Sequence, residues 1–236
     1  MANTTNKKLL KQVALALAIG LTLRFAMNKV GWHPPSFLQS NFRHPDFDVE
    51  LTRLLPSFLL WIIFSLYWSI ASRNSAPSKS SESWISTWFH QLLLGTAMLL
   101  LLLPVPGLTG WFLPQRFHFL VAVGAIIQAG FVLLAVWARR HLGRNWSAEV
   151  RIGEDHELVR TGPYRILRHP IYTAMLGMFL GTTIASSQYH ALLGLALLFA
   201  AYLRKTRLEE QILRRTFGAD YDVYRRQTWA LVPLLY

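Results

Sequence analysis

The residues best suited to chemistry lie in two short strips of the second half of the chain. The first is His156-Glu-Leu-Val-Arg-Thr-Gly-Pro-Tyr-Arg-Ile-Leu-Arg-His-Pro-Ile-Tyr172. It gathers titratable and aromatic side chains just ahead of an uncharged run that begins at Pro170. Gly162-Pro163 reads as a turn, and Pro170 suits the first turn of a helix, where its missing N–H costs nothing. The start of that helix carries a partial positive charge and favours a carboxylate, of a ligand or of a neighbouring acidic residue. The second strip is Arg207-Leu-Glu-Glu-Gln-Ile-Leu-Arg-Arg-Thr-Phe-Gly-Ala-Asp-Tyr-Asp-Val-Tyr224. Leu208, Ile212, Leu213 and Phe217 give it an apolar helical face, and Gly218 is a stop signal. Each strip also has a plain reading. Arg165, Arg168 and His169 can mark a membrane edge and bind lipid phosphate, and Arg-His-Pro recurs at Arg43-His44-Pro45. Glu210 can form an i,i+4 pair with Arg214 on an amphipathic helix lying on the bilayer.

The elements that must position these strips are membrane helices. With histidine neutral, Leu54–Ser72 runs 19 residues without a charge, Ser83–Gln115 runs 33, Phe117–Ala138 runs 22 and Pro170–Leu203 runs 34. About 18 apolar residues suffice to cross the hydrocarbon core as a helix, and in lipid the backbone has no water to bond, so spans are helical. Pro104, Pro106, Gly107 and Gly110 end the third span near Leu103. The last run fits two short helices with a turn at Ser186-Ser187-Gln188-Tyr189-His190 rather than one long tilted helix. A further helix is expected over Leu9–Asn28. Lys7, Lys8 and Lys11 before Val13–Leu23 resemble a signal peptide, but no clear small-residue cleavage site follows and Arg24 interrupts the run, so this helix is read as uncleaved. The expected fold is therefore all-α, a polytopic bundle of about six transmembrane helices with a cytoplasmic C-terminal amphipathic helix. Residues 1–138 form the N-terminal helices, and residues 139–236 form the half that carries both strips.

Charge orients the bundle. Of 24 Lys and Arg, 14 fall in Arg139–Arg168 and Arg204–Arg226, seven in each. Six crossings that start inside would put 19 basic residues on the cytoplasmic side and four outside (Lys29, Arg43, Arg53 and Arg116). The positive-inside rule then sets both termini in the cytoplasm, at the inner membrane if the source is bacterial. A net charge of +12 in a soluble chain would suggest nucleic acid, but no reading motif accompanies it. Anionic membrane lipids are the expected partners. The chain has no cysteine, which rules out disulfides, thiolate metal sites and a cysteine nucleophile; no metal site is expected.

Taken in order, the pattern His-x-Leu-Val-x-x-Gly-x-Tyr-x-x-x-Arg-His-Pro-x-Tyr, a helical hairpin, then Glu-Glu-x-x-Leu-x-x-x-Phe-Gly-x-x-Tyr-x-x-Tyr resembles the isoprenylcysteine carboxyl methyltransferase family, within a broader group that includes membrane phospholipid methyltransferases. The resemblance covers Leu142 to Tyr236, and the first half matches only as a set of membrane helices. It implies a membrane-embedded methyltransferase using S-adenosylmethionine, with the C-terminal half folded over the cofactor at the cytoplasmic face. The acceptor would be an isoprenoid, a lipid or a small amphipathic molecule arriving laterally from the bilayer, with carboxylate O-methylation favoured. Carried over by position, the cofactor residues would be His156, Leu158, Val159, Gly162, Tyr164, His169, Pro170, Tyr172, Glu209 and Glu210. The resemblance makes Arg168, Arg207 and Glu209 the candidates for the catalytic centre, the arginines steering an acceptor carboxylate or pairing with the glutamates. The basic partner ahead of Glu209 is Lys205 or Arg207. One departure stands out: the family has glycine two residues after the last tyrosine of the first strip, and this chain has Ala174.

The residue types suit that chemistry. A sulfonium is a cation, which aromatic faces (Tyr164, Tyr172, Trp146) and a carboxylate can hold. Methyl transfer is an in-line displacement, so orientation and desolvation lower its barrier without an activated protein nucleophile. A carboxylate acceptor needs no general base and can be aligned by arginine; an amine would need His169 or a glutamate to take its proton. No Gly-x-Gly-x-x-Gly fingerprint occurs, consistent with a site not of Rossmann type. Two other readings compete. One is an NADPH-dependent membrane reductase similar to the sterol reductases, against which the Asn-Tyr-x-Gly-Asp pattern is missing. The other is a non-catalytic membrane protein whose basic face binds lipid.

Overall fold

The apolar runs fold as helices, and the computed structural model describes residues 47–71, 83–102, 108, 110–113, 118–143 and 158–233. The expected helix at Leu9–Asn28, with Arg24 in it, and the residues Trp146 and His156 lie outside the described residues. In chain order the elements are α1 (Phe47–Ala71), α2 (Trp84–Leu102), α3 (Phe119–Leu142), a 3-10 turn (Gly162–Arg165), α4 (Pro170–Ser186), α5 (Tyr189–Phe217) and α6 (Ala219–Gln227). No strand occurs among the described residues; two isolated bridges join Trp111 to Gln188 and Leu167 to Trp229.

Three helices are long and apolar enough to cross a membrane by length and composition: Arg53–Ala71 of α1, Trp84–Leu101 of α2 and α3. Their surfaces are inverted relative to a water-soluble bundle. Leu66, Ile70, Trp88, Leu92, Ile126 and Leu133 are all exposed, while Ser57, Gln128, Thr182, Thr183 and Ser186 are buried. Apolar side chains outside and small or polar ones inside are what a lipid solvent selects, because lipid offers apolar groups no reason to hide. The buried polar groups bond one another: Gln128 Nε2 donates to the Ser57 carbonyl at 3.1 Å, and Trp61 Nε1 to Thr182 Oγ1 at 3.1 Å. The protein is thus a helical membrane protein.

Helices α3 and α4 cross with their backbones in contact. A Cβ on Gly124 would stand 2.4 Å from the Gly181 carbonyl oxygen, and one on Gly181 would stand 2.5 Å from that of Gly124. Close approach of small residues is the usual way membrane helices gain packing energy. Ala174, where the family pattern has glycine, is fully buried in the cluster of Phe64, Val132, Ala135 and Met178. Its methyl group fills a helix contact.

The expected hairpin is present, with its turn at Ser187 (φ 57°) between α4 and α5. At that end His190 Nδ1 lies 2.6 Å from the Leu100 carbonyl, and Phe112 N donates to the Ser187 carbonyl at 2.9 Å. At the opposite end, Arg139 donates to the carbonyls of Gly143 at 2.5 Å and Ala71 at 2.6 Å, tying the C-termini of α3 and α1 together. Arg204 of α5 bonds Ser86 at the start of α2 there. Successive helices therefore alternate in direction. Among the described residues, Arg53 is the one Lys or Arg at the hairpin-turn end.

Two boundaries differ from expectation. Helix α1 begins at Phe47, seven residues ahead of the uncharged run, and carries Pro56 inside it. A charged residue does not stop a helix, and neighbours in a membrane bundle can satisfy the groups a proline frees. The Arg207–Phe217 stretch is not a separate helix on the bilayer but the continuation of α5, which is 29 residues long. No helix breaker lies between Leu203 and Gly218, and Gly218 at φ 52° makes the stop. The separate element beyond is the short α6.

Candidate functional site

The two strips meet at the end of the bundle opposite the hairpin turn. The 3-10 turn places Tyr164 under α6, where the Tyr224 hydroxyl donates to the Tyr164 carbonyl at 2.7 Å. Gly162 adopts φ +58°, and a Cβ there would stand 2.3 Å from the His141 ring of α3. Glycine is thus required both for its left-handed backbone and for the space. His169 caps α4 and Pro170 occupies its first turn, as the sequence suggested. Leu158 and Val159 lie half-buried at the start of this segment, and Tyr164 is 6 % exposed.

Because α5 runs unbroken from Tyr189 to Phe217, Glu209 and Glu210 are carried rigidly to the N-terminus of α4. His169 Nδ1 lies 3.3 Å from Glu209 Oε2, and its Nε2 lies 3.5 Å from Glu210 Oε1. The Tyr172 hydroxyl donates to Glu209 Oε1. Arg168 Nε donates to Glu210 Oε1 at 2.7 Å, and Arg225 Nε lies 3.6 Å from Glu210 Oε2. The plain i,i+4 reading of Glu210 is not what forms: Arg214 pairs with Asp222 at 2.9 Å instead. Burial alone would disfavour a charged imidazole, but the two glutamates outweigh it and raise His169 above its ordinary value. Burial likewise works against the Glu210 carboxylate, yet His169 and Arg168 hold it well below the usual range. Both shifts favour the charged form, as close groups of opposite charge do.

An aromatic column stands beside these charges. The rings of His169 and Tyr172 stack at 5.6 Å and 6°, and those of Tyr172 and Tyr202 at 4.6 Å and 18°. His90 of α2 follows Tyr202 at 5.9 Å. Tyr202 was missed in the sequence, although it lies seven residues, two helical turns, before Glu209 and so on the same face. Among the buried polar atoms at this end, Thr206 Oγ1 and Tyr221 Oη make no hydrogen bond. Unsatisfied buried groups in a polar cluster fit a site that receives a polar ligand.

The sequence also gave no hint of the segment after α6. Residues 228–231 run back across the first strip as a strap. Arg168 N donates to the Trp229 carbonyl at 2.7 Å, Trp229 N to Ile166 at 3.0 Å and His169 N to Ala230 at 3.1 Å. Thr173 Oγ1 donates to the Leu231 carbonyl at 2.5 Å, and Leu231 itself is fully buried. A cleft of about 330 Å³ opens between the strap and Arg168, with Arg225 and Arg226 on its wall. Arg207, by contrast, is exposed on α5 and outside the cluster, whereas Lys205 is 3 % exposed.

These features define a helical membrane protein with a charged, aromatic-walled cluster at one mouth of the bundle. Residues 119–220 match the model of the phospholipid methyltransferase family. The chain is 27% identical over 128 residues to a probable protein-S-isoprenylcysteine O-methyltransferase of Oryza sativa subsp. indica, covering 53% of this chain and 63% of that one. It is 26% identical over 193 residues to protein-S-isoprenylcysteine O-methyltransferase A of Arabidopsis thaliana, covering 78% and 94%. It is also 38% identical over 99 residues to the nickel-cobalt-cadmium resistance protein NccN of Alcaligenes xylosoxydans xylosoxydans, covering 40% and 45%. The chain spans less than two thirds of the length of the first of these isoprenylcysteine methyltransferases, and it is similar to that family over its second half.

Proposed function

We propose that the protein is an S-adenosylmethionine-dependent methyltransferase of the membrane, acting on an isoprenoid, a lipid or a small amphipathic acceptor, with O-methylation of a carboxylate favoured. The observation that carries this reading is the meeting of His169 with both Glu209 and Glu210, at 3.3 and 3.5 Å, beside the Tyr172–Tyr202 stack. When bound, the cofactor would supply an electrophilic methyl group on a sulfonium. Tyr172 and Tyr202 offer π faces to that cation, and Glu209, its side chain 20 % exposed, offers a carboxylate. Glu209, His169, Pro170, Tyr172, Gly162, Tyr164, Leu158 and Val159 are the described residues we assign to the cofactor site, His156 joins them by its place in the pattern, and Glu210 stands behind them, held by Arg168 and His169.

The Arg168, His169 and Glu210 side chains are at most 10 % exposed, so their charges act in a lowered dielectric and keep the reacting groups aligned. Arg168, Arg225 and Arg226 around the cleft, with Arg207 on the outer face of α5, form a positive field that draws in an anionic acceptor. A carboxylate acceptor then needs no proton removed. Residues 139–236 form the catalytic half and residues 1–138 the membrane helices that admit the acceptor. The bundle crosses the bilayer about six times, with both termini and the site on the cytoplasmic side, since the basic residues gather at the site end.

Detergent-solubilised protein should bind labelled S-adenosylmethionine and not NADPH. Incubation with methyl-labelled cofactor and a membrane lipid extract should then transfer label to a lipid-phase product. Binding of NADPH alone, or of neither, would overturn the assignment.

A further inference from the structure

Arg168 reaches three separate segments at once. It sits in the first strip, its Nε holds Glu210 of α5 at 2.7 Å, and its Nη1 donates to the carbonyl of Arg225 at 3.1 Å and to that of Thr228. Those carbonyls lie in the last turn of α6 and just beyond it, where helix carbonyls have no intrahelical partner and a cation is favoured. The Arg168 and Glu210 side chains are only 9 % and 10 % exposed, against 20 % for Glu209. Glu210 is thus enclosed by Arg168, His169 and Arg225, whereas Glu209 touches His169 and Tyr172 and faces the aromatic column.

From this asymmetry we infer that the adjacent glutamates divide their work, on the footing that the site binds the cofactor as proposed above. Glu210 and Arg168 are a positioning pair that latches the strap 228–231 onto the first strip, and Glu209 is the carboxylate that contacts the cofactor. The latch acts on the chemistry through His169. The strap bonds the backbone N–H groups of Arg168 and His169, so releasing it loosens the cap of α4 and costs alignment of the bound cofactor while the Glu209 contact is kept. A lysine in place of Arg168 cannot replace the latch, because a point charge does not reach a carboxylate and a helix end in one plane.

The test compares Glu210→Gln, Glu209→Gln and Arg168→Lys in the full-length protein in detergent, with two readouts. Amide hydrogen exchange over residues 226–233 reports the strap. Equilibrium binding of S-adenosylmethionine, with kcat at saturating cofactor on whatever acceptor the lipid-extract screen yields, reports the site. Glu210→Gln and Arg168→Lys should speed exchange of the strap at least tenfold and lower kcat at least tenfold, with cofactor Kd within threefold of wild type. Glu209→Gln should leave strap exchange unchanged and weaken cofactor at least tenfold. Glu210→Gln weakening cofactor tenfold with the strap still protected would overturn the division, as would strap release by Glu209→Gln. Should the wild type bind no cofactor, the methyltransferase reading falls by itself, and the exchange arms still decide whether Glu210 holds the strap.

Discussion

Replacing Gly162 by alanine isolates the turn that sets the first strip against α3. Two costs are separable in the structure. A non-glycine residue at φ +58° loses about 1–2 kcal/mol to the contact between its Cβ and the following carbonyl. The added carbon would also lie 2.3 to 2.7 Å from three atoms of the His141 ring. That ring is held by contact with the Trp137 carbonyl at 3.1 Å and an edge contact with the Trp137 ring at 5.7 Å. Forcing it aside by more than 1 Å should cost about 1–3 kcal/mol, as overpacking does. Gly162→Ala should therefore destabilise the fold by about 2–5 kcal/mol in total. The double variant Gly162→Ala/His141→Ala removes the clash and keeps only the backbone cost, so it should recover to about 1–2 kcal/mol below His141→Ala alone. Unfolding in mixed micelles, followed by circular dichroism, measures all four members of the cycle. A Gly162→Ala protein within 0.5 kcal/mol of wild type, inside the usual scatter for neutral substitutions, would refute the assigned turn. Equal losses in the single and double variants would refute the role given to His141.

Three further outcomes follow from the same geometry. Stability should depend on pH in two limbs. The lowered Glu210 carboxyl stabilises the fold above the unfolded value of 4.5, and this is lost as pH falls below it; the raised His169 stabilises fully below 6.5, and this is lost as pH rises through its folded value. Melting temperature should thus peak between those values, and His169→Gln should flatten the alkaline limb; an unchanged alkaline limb in that variant would contradict the linkage. Gly181→Leu should fail to accumulate as folded protein, because the Gly124 carbonyl 2.5 Å away is backbone and cannot yield; normal yield on size-exclusion would show the α3–α4 crossing to be wrong. Tyr224→Phe should cost about 1 kcal/mol through the lost bond to the Tyr164 carbonyl, and a stabilised variant would remove α6 from its place over the 3-10 turn.

What could be read in the sequence tracks how local its cause was. The apolar runs report directly on lipid, so the helical membrane class and the hairpin at Ser186–His190 were legible from residue type alone. The proline at the start of α4 and the glycine at the end of α5 are single-residue signals, and both ends fall where they point. The unbroken passage of α5 from its apolar half to the site was hidden because a change from apolar to charged residues looks like a boundary, although nothing in Leu203–Phe217 interrupts hydrogen bonding. Glu210 was misleading for a related reason. Its i,i+4 neighbour Arg214 is visible in sequence, whereas Arg168, 42 residues distant, is visible only once the hairpin has folded.

The strap shows why the remaining part of the site was not legible. Its contribution is made by carbonyls of Arg225, Thr228, Trp229 and Ala230, and main-chain atoms carry no residue-type signature. The same property explains how two acidic neighbours come to differ. Successive residues on a helix are turned by about 100°, so Glu209 and Glu210 cannot face one partner equally. The strap and Arg168 enclose the side that Glu210 faces, leaving Glu209 to the aromatic column. The carboxylate on the enclosed side is fixed by arginines and backbone-bound groups, which gives rigidity; the one on the aromatic side keeps the exposure that a ligand needs. On the proposed reading, a chain that holds the cofactor's cation at the edge of lipid gains from having both, because a single carboxylate could not stay locked to its scaffold and remain open to a ligand.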